Sequence, residues 1–453
     1  MGMGRKKNRE KQQDLWVAAS EIVTTPGHVY YERLNTVLAA EKFDQRVEAL
    51  CRKYYKSSSG RPSMTPGTYF RMLLLGYFEG IDSERGIAWR AADSLSIRKF
   101  LGYNLSEPTP DHSTVSRTRR LYSVPTHRAV MQWVLKILRK HGLAQGQTVC
   151  IDATTLEANA AMKSLVRRDT GMAYEEYLRQ LAQAEGIENP TKEQAARLDR
   201  KRKKKASNDD WTNPNDPSAR ITKMKDGRTK LAHKAEHAVD LSDGAVLAVT
   251  VQPADRGDTA SYIETLETAQ QEAAKVHPLG IEEVVMDKGY HSSAVLVDLA
   301  ERNIRSYVPE PERGRRNWAG KQQEQRCVYA NRRRVRGSRS KRLQKLRGEL
   351  CERSFAHCYE TGAMRRVHLR GSDNVLKRVL VHAAAFNIGL LLRTLSGWGK
   401  PRAVPGRQKG CLRSLNLPCS FAIFIWVLLE RLRRVRLQIS LPFRPASVFL
   451  AAA

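Results

Sequence analysis

Hydrophobic and polar positions divide this chain into three successive patterns. In the first, Thr65-Pro66 supplies a capping hydroxyl and a first-turn proline. The run Tyr69-Phe-Arg-Met-Leu-Leu-Leu-Gly-Tyr-Phe78 behind it is apolar on nearly every side, which predicts a buried helix. Ser83 to Ala92 predicts another helix, and Pro108-Thr-Pro110 breaks the chain. Asp111 then caps a short basic helix, Asp111-His-Ser-Thr-Val-Ser-Arg-Thr-Arg-Arg120. From Pro125, Ala129, Val130, Trp133, Val134, Ile137 and Leu138 recur with a helical period of about 3.6 until Gly142, an amphipathic helix.

The second pattern is one of short apolar runs that end in polar residues. Thr148-Val-Cys-Ile-Asp152 and Val284-Val-Met-Asp287 read as buried strands, each delivering a carboxylate at its tip. His237–Leu241 and Ala245–Val251 read as two strands joined at Asp243-Gly244, a hairpin signal. Helices over Thr259–Lys275 and Ser292–Asn303 alternate with these, and Ile304–Val308 is a fifth strand. The alternation predicts an α/β sheet, in which ligands sit beyond the carboxyl ends of strands. An acid at such a tip also serves as a cap for the next helix, so Asp152 and Asp287 carry both readings.

The third pattern is polar and cationic. From about 158 to 229 the chain is too polar to predict a core of its own, and it reads as an insertion or mobile basic loop. It holds the run Arg200-Lys-Arg-Lys-Lys-Lys205, either a phosphate grip or a solvated helix face. From Arg313 to Arg347 cations dominate, with Trp318 and Tyr329 among them and Glu324 as the only acid, a surface suited to a nucleic acid. A charged helix over Leu343–His357 carries Glu349 and Glu352, with Glu360 beyond. A buried helix follows over Asn374–Leu395. After Gly397 the pattern is irregular.

These divisions predict a basic arm and helical lead-in over 1–63, a helical DNA-binding region over 64–142, and an α/β domain over 143–395. Within that domain 158–229 and 313–347 are basic insertions, and 396–453 is a tail with no recognisable motif. Charge sharpens the partner: 78 Lys and Arg against 47 Asp and Glu give +31, an excess that implies a polyanion. Seven scattered cysteines without a C-x-x-C spacing exclude a disulfide framework and a structural zinc site, and they fit a reducing cytoplasm. The N-terminus has no apolar stretch behind its positive charges, so it does not read as a signal peptide. The longest apolar run, Phe421–Leu429, is well short of the roughly 20 residues of a membrane span.

Taken together, Ile151-Asp152-Ala-Thr-Thr-Leu-Glu-Ala-Asn159, Gln252-Pro-Ala-Asp-Arg-Gly-Asp258, Met286-Asp287-Lys-Gly-Tyr-His291 and Glu352-Arg-Ser-Phe-Ala-His357 resemble a DDE-type bacterial insertion-sequence transposase. Glu360-Thr-Gly362 and Leu369-Arg-Gly371 complete the resemblance, which spans roughly 64 to 395. It implies a ribonuclease H-like mixed sheet with flanking helices, preceded by an all-helical DNA-binding region. It also implies a catalytic and metal-binding triad of Asp152, Asp287 and Glu352, with Asp152 bridging. The spacing of Tyr, Arg, Glu and Lys known in related groups is incomplete: Arg347 lies near the expected Arg, and Tyr359 stands where Lys would fall. Residue physics alone leaves Glu349 and Glu360 as alternatives to Glu352.

Oxygen-only ligands suit Mg²⁺ or Mn²⁺, and two such ions stabilise attacking and leaving oxygens in a displacement at phosphorus. The implied activity is cutting transposon ends and joining them to target DNA, by hydrolysis and then transesterification. A silent DNA-binding relative and a structure-selective nuclease are the alternatives. The implied partner is double-stranded DNA, as terminal inverted repeats and target, held by at least a homodimer at the cytoplasmic nucleoid. Candidate DNA contacts are Arg117, Arg119 and Arg120, then Lys288, Arg332, Arg333 and Arg334, and finally Arg353 and His357. Glu157 reads as a helix-start acid or a fourth carboxylate. His233 and His237, four apart, read as structural.

Overall fold

The structure is a computed structural model that describes residues 28–404, except 57–62, 188, 202–206, 225 and 315. The N-terminal basic arm, most of the Arg200–Lys205 run, and the tail beyond 404 with its Phe421–Leu429 stretch lie outside the described residues.

Seven helices lead: α1 (Val29–Ala40), α2 (Phe43–Cys51), α3 (Pro66–Glu79), α4 (Glu84–Asp93), α5 (Leu95–Leu101), α6 (His112–Leu121) and α7 (Val124–Lys140). Their ends follow side-chain chemistry. Thr65, Ser83, Ser94 and Asp111 each accept a backbone N–H of the first turn, satisfying a donor the helix leaves unpaired. Gly80 and Gly102 close α3 and α5 in the left-handed conformation that glycine adopts without strain. As its composition predicts, α3 is buried from Pro66 to Phe78.

The second half is a mixed sheet with helices on its faces. Its elements are β1 (Thr148–Glu157), β2 (Val166–Arg167), α8 (Tyr174–Ala184), α9 (Lys192–Lys201), β3 (Trp211–Thr212), β4 (Arg220–Lys223), β5 (Thr229–Asp240), β6 (Val246–Pro253), α10 (Asp258–Ala273), β7 (Glu283–Val285), α11 (Ser293–Glu301), β8 (Arg305–Tyr307), α12 (Gln322–Arg336), α13 (Ser338–Phe355) and α14 (Ser372–Ser396). The central strands run in the order β6-β5-β1-β7-β8, with β4 also on β5. The pairs β6/β5 and β5/β1 are antiparallel, while β1/β7 and β7/β8 are parallel. This is the ribonuclease H-like arrangement.

Three expectations change. The 158–229 stretch buries a small core of its own: Trp211 packs with Ala158, Leu165, Ala219 and Leu231, and Tyr174 and Tyr177 set their rings edge-on to Trp211. A few aromatics bury enough area to order a polar segment. The cationic 313–347 stretch is largely helical, as α12 and the first half of α13. Finally, β5 begins eight residues before His237. Its polar residues Lys230, His233, Lys234 and Glu236 hide the strand pattern, because most of them are buried and bonded in pairs.

Helix α14 is long and apolar enough to cross a membrane, but most of it is buried inside the protein. It packs on α3, α7 and β6, joining the helical half to the sheet. Its polar residues are bonded internally: Arg378 Nε donates to His382 Nε2 at 2.9 Å, and Asn387 exchanges hydrogen bonds with the backbone of Val246.

Candidate active site

Strand lengths expose the first acid. Pairing of β1 with β7 ends at Cys150 opposite Val285, yet β1 continues to Glu157. Asp152 therefore stands just beyond the last paired residues, beside the turn where β7 gives way to Asp287. The Asp287 carboxylate accepts the backbone N–H of Gly289 at 2.7 Å, which closes the tight turn Lys288–Tyr290 and fixes the side chain.

Helix α13 crosses the strand ends, and one face of it is fastened to them. Gln344 donates to the carbonyls of Met286 and Tyr307 at 3.2 and 2.8 Å. Arg347 donates to Asp152 Oδ2 at 2.6 Å. The Sγ of Cys351 lies 2.9 Å from that of Cys150. Residues 344, 347, 351 and 354 recur at three- and four-residue steps, one side of a helix. Below them, His237 of β5 bridges Ser354 Oγ at 3.0 Å and the Tyr359 hydroxyl at 2.6 Å. Burial pushes the His237 pKa down to about 3, so the ring is neutral and can accept one bond while donating the other. The helix continues through a π-helical turn, Ala356–Glu360.

This fastening sets Glu352, one residue past Cys351, toward the strand tips. Burial pushes the Asp152 pKa up to about 6; Arg347 opposes that rise, and the negative charges of Asp287 and Glu352 add to it. The structure thus places Asp287 and Glu352 each within electrostatic reach of Asp152. Glu349 is paired with Arg353 and Glu360 with Arg365, both on exposed ground. Among the described residues, no group of three or more His, Cys, Asp or Glu side chains, Asp152, Asp287 and Glu352 included, is drawn close enough to hold a metal ion by itself. The donors present are carboxylate oxygens, which suit a hard divalent cation whose shell is completed by water and phosphate. Arg347 is the cation that now neutralises Asp152.

The candidate DNA contacts separate into two groups. Arg117, Arg120, Lys288 and Arg333 are exposed. Arg119, by contrast, is buried and pairs with Glu84 at 2.7 Å. Arg332 forks onto Glu310 at 2.7 and 3.1 Å, and Arg334 donates twice to Ser306 at 2.9 Å. Arg353 is tied to Glu349. The pKa of His357 is lowered to about 4 by burial and by the nearby charges of Lys400, Arg393 and Arg353, so it brings no positive charge to a phosphate at neutral pH. Sequence clustering cannot tell a surface arginine from one that holds a loop. Glu157 is a strand residue, bonded to Lys230 at 2.5 Å, so the helix-start reading is corrected. His233 meets Asp216 in the interior at 3.1 Å, a structural role like that of His237.

Lys341 and Lys345 are exposed, and helical geometry puts them on the same face of α13 as Glu352. Spacing along a predicted helix would have found them.

Comparison with known proteins gives two family matches. Residues 143–388 match the family described as Transposase DDE domain, and residues 18–121 match the Transposase domain (DUF772). No curated protein matches the chain. Among solved structures, a pre-cleavage Mos1 transpososome is similar over 65% of this chain and 82% of that chain, at 11% identity and a TM-score of 0.19.

Proposed function

The chain belongs to the Transposase DDE domain family, and from that premise we propose that it cuts transposon ends and joins them to target DNA at Asp152, Asp287 and Glu352. The observation that carries the proposal is geometric: β1 outruns β7, so that Asp152 stands beside the turn that fixes Asp287, and α13, which carries Glu352, is fastened across both by Gln344 and Arg347. Carboxylates gathered in this way favour any cation that relieves their repulsion. Mg²⁺ or Mn²⁺ bound there would activate the attacking oxygen and stabilise the leaving one. Asp152 would contribute to both sides of such a site, with Asp287 and Glu352 each holding one side.

The chain's own residues do the positioning. Gln344 and His237 hold α13 to the sheet, so Glu352 stays registered with the strand tips. Arg347 keeps Asp152 ionised and oriented until a metal and a phosphate arrive. Exposed Lys288, Lys341 and Lys345 flank the acids with positive charge that suits a DNA strand. Arg117, Arg120 and Arg333 extend that charge over α6 and α12, and the net +31 favours long DNA contacts. A synaptic homodimer, and a place at the cytoplasmic nucleoid, follow from an activity that pairs two ends.

The test is incubation of the protein with Mg²⁺ and labelled duplexes carrying the inverted repeats that flank its gene. Cut and joined products are expected. Asp287→Asn should lower cutting by about a thousandfold or more while leaving DNA affinity within about twofold. Activity that survives in Asp287→Asn contradicts the assignment.

A further inference from the structure

A cavity of about 320 Å³ lies beside the first turn of α10. Its walls include Ala153–Thr155 of β1, Lys223 at the end of β4, Lys234 of β5, and Arg256 and Asp258 before and at the start of α10. We infer that this cavity holds a backbone phosphate of the DNA strand next to the one being cut, gripped by Lys223 and Arg256. The inference rests on the transposase reading above and adds a binding site to it.

Position is the first argument. Ala153, Thr155 and Lys234 line the cavity from the α10 face of the sheet, whereas the Asp152 side chain faces α13. The cavity lies next to Asp287 through Asp258, since those two carboxylates both crowd Gly289. A methyl group on Gly289 would stand 2.7 Å from Asp258 Oδ2 and 3.0 Å from Asp287 Oδ1. A strand whose scissile phosphate sat against Asp287 would bring a neighbouring phosphate to this cavity.

Charge is the second argument. Asp258 brings a negative charge, but the Lys234 ammonium is bonded to it. That ammonium also donates to Ser261 Oγ at 2.8 Å and to the Arg256 carbonyl at 3.1 Å. Its three protons are spent, so Lys234 shapes the wall and is not available to a ligand. Lys223 and Arg256 are different. Both are exposed, and neither forms an ion pair among the described residues. Arg256 is steadied by one bond, from Nη1 to Gln252 Oε1 at 3.0 Å, which leaves its remaining donors for a phosphate. With the Lys234–Asp258 pair neutral, the cavity carries two uncompensated positive charges.

The experiment replaces single phosphates near the cut, one at a time, with neutral methylphosphonates and measures cleavage of repeat-bearing duplexes with Mg²⁺. In the wild-type chain, one position within a few nucleotides of the cut should lower kcat/KM roughly tenfold. In a Lys223→Ala, Arg256→Ala double variant that penalty should disappear, while penalties at other positions persist. The thermal midpoint should match that of the wild type, since both side chains are exposed. Loss of the penalty at that position alone supports the phosphate site. A double variant that keeps the whole interference pattern overturns it. A wild-type chain that binds the duplex yet cuts none of it contradicts the transposase reading itself, a separate failure.

Discussion

Asp152 owes its chemistry to its place beyond the end of β7, where β5 alone still pairs with β1, and to Arg347 as its neighbour at 2.6 Å. Gly289 is equally constrained, by space and not by backbone torsion, since a β-carbon there would collide with Asp258 Oδ2 at 2.7 Å and press on Asp287 Oδ1 at 3.0 Å. Gly289→Ala is therefore expected to fold normally but to lose cutting by about tenfold, because Asp258 must move and Asp287 yield with it. Circular dichroism paired with the cleavage assay checks this. A second residue reports on burial away from the site. Asp243 accepts the N–H groups of Ala144 and Ala245 at 2.7 and 2.8 Å, and burial, with Asp240 adding to it, pushes its pKa up to about 6. A carboxyl whose pKa is raised on folding binds its proton more tightly in the folded chain. Its favourable contribution is thus complete below about pH 4 and is lost as pH rises through about 6. Asp243→Asn removes the charge but keeps only one of the two acceptors, setting its NH2 against a backbone N–H. It should therefore flatten the dependence of stability on pH between about 4 and 6 in denaturant titrations, with the variant closest to the wild type at the upper end of that range.

At the scale of elements, α13 organises the site. Its charged sequence gives little sign of this, because the residues that fasten it, Gln344 and Arg347, are polar and look like surface positions. Only their partners, a pair of strand-end carbonyls and the Asp152 carboxylate, show which face turns inward. His237→Leu tests the fastening. It leaves Ser354 and Tyr359 without their shared partner and should cost roughly 2–4 kcal/mol. It should also lower kcat more than DNA affinity, as measured by chemical denaturation and by single-turnover cleavage. The strands that carry Asp152 and lead to Asp287 were legible because apolar runs that meet an acid need no partner to be recognised, but β1 does not stop at Asp152 as the run implied: it continues to Glu157, held by β5. The start of β5 was not, since its buried polar residues are satisfied by groups distant in sequence. The small core around Trp211 was missed for a related reason: its few apolar residues are spread over about seventy positions and meet only after folding.

Across the whole molecule, α14 ties the leading helices to the sheet, so the helical half and the acids share one scaffold. The positive charge is not spread idly over it. Some arginines serve the fold, as Arg119, Arg332 and Arg334 do, while Arg117, Arg120, Arg333, Lys341 and Lys345 stay exposed. The central claim is that acids far apart in sequence meet around divalent metal. Its most direct test is to load the chain with Fe²⁺, add ascorbate and peroxide, and map where the backbone breaks. Breaks clustered near Asp152, Asp287 and Glu352, suppressed by excess Mg²⁺ and absent from Asp287→Asn, are the expected result. Breaks at one of these segments alone, or a pattern indifferent to Mg²⁺, would contradict it.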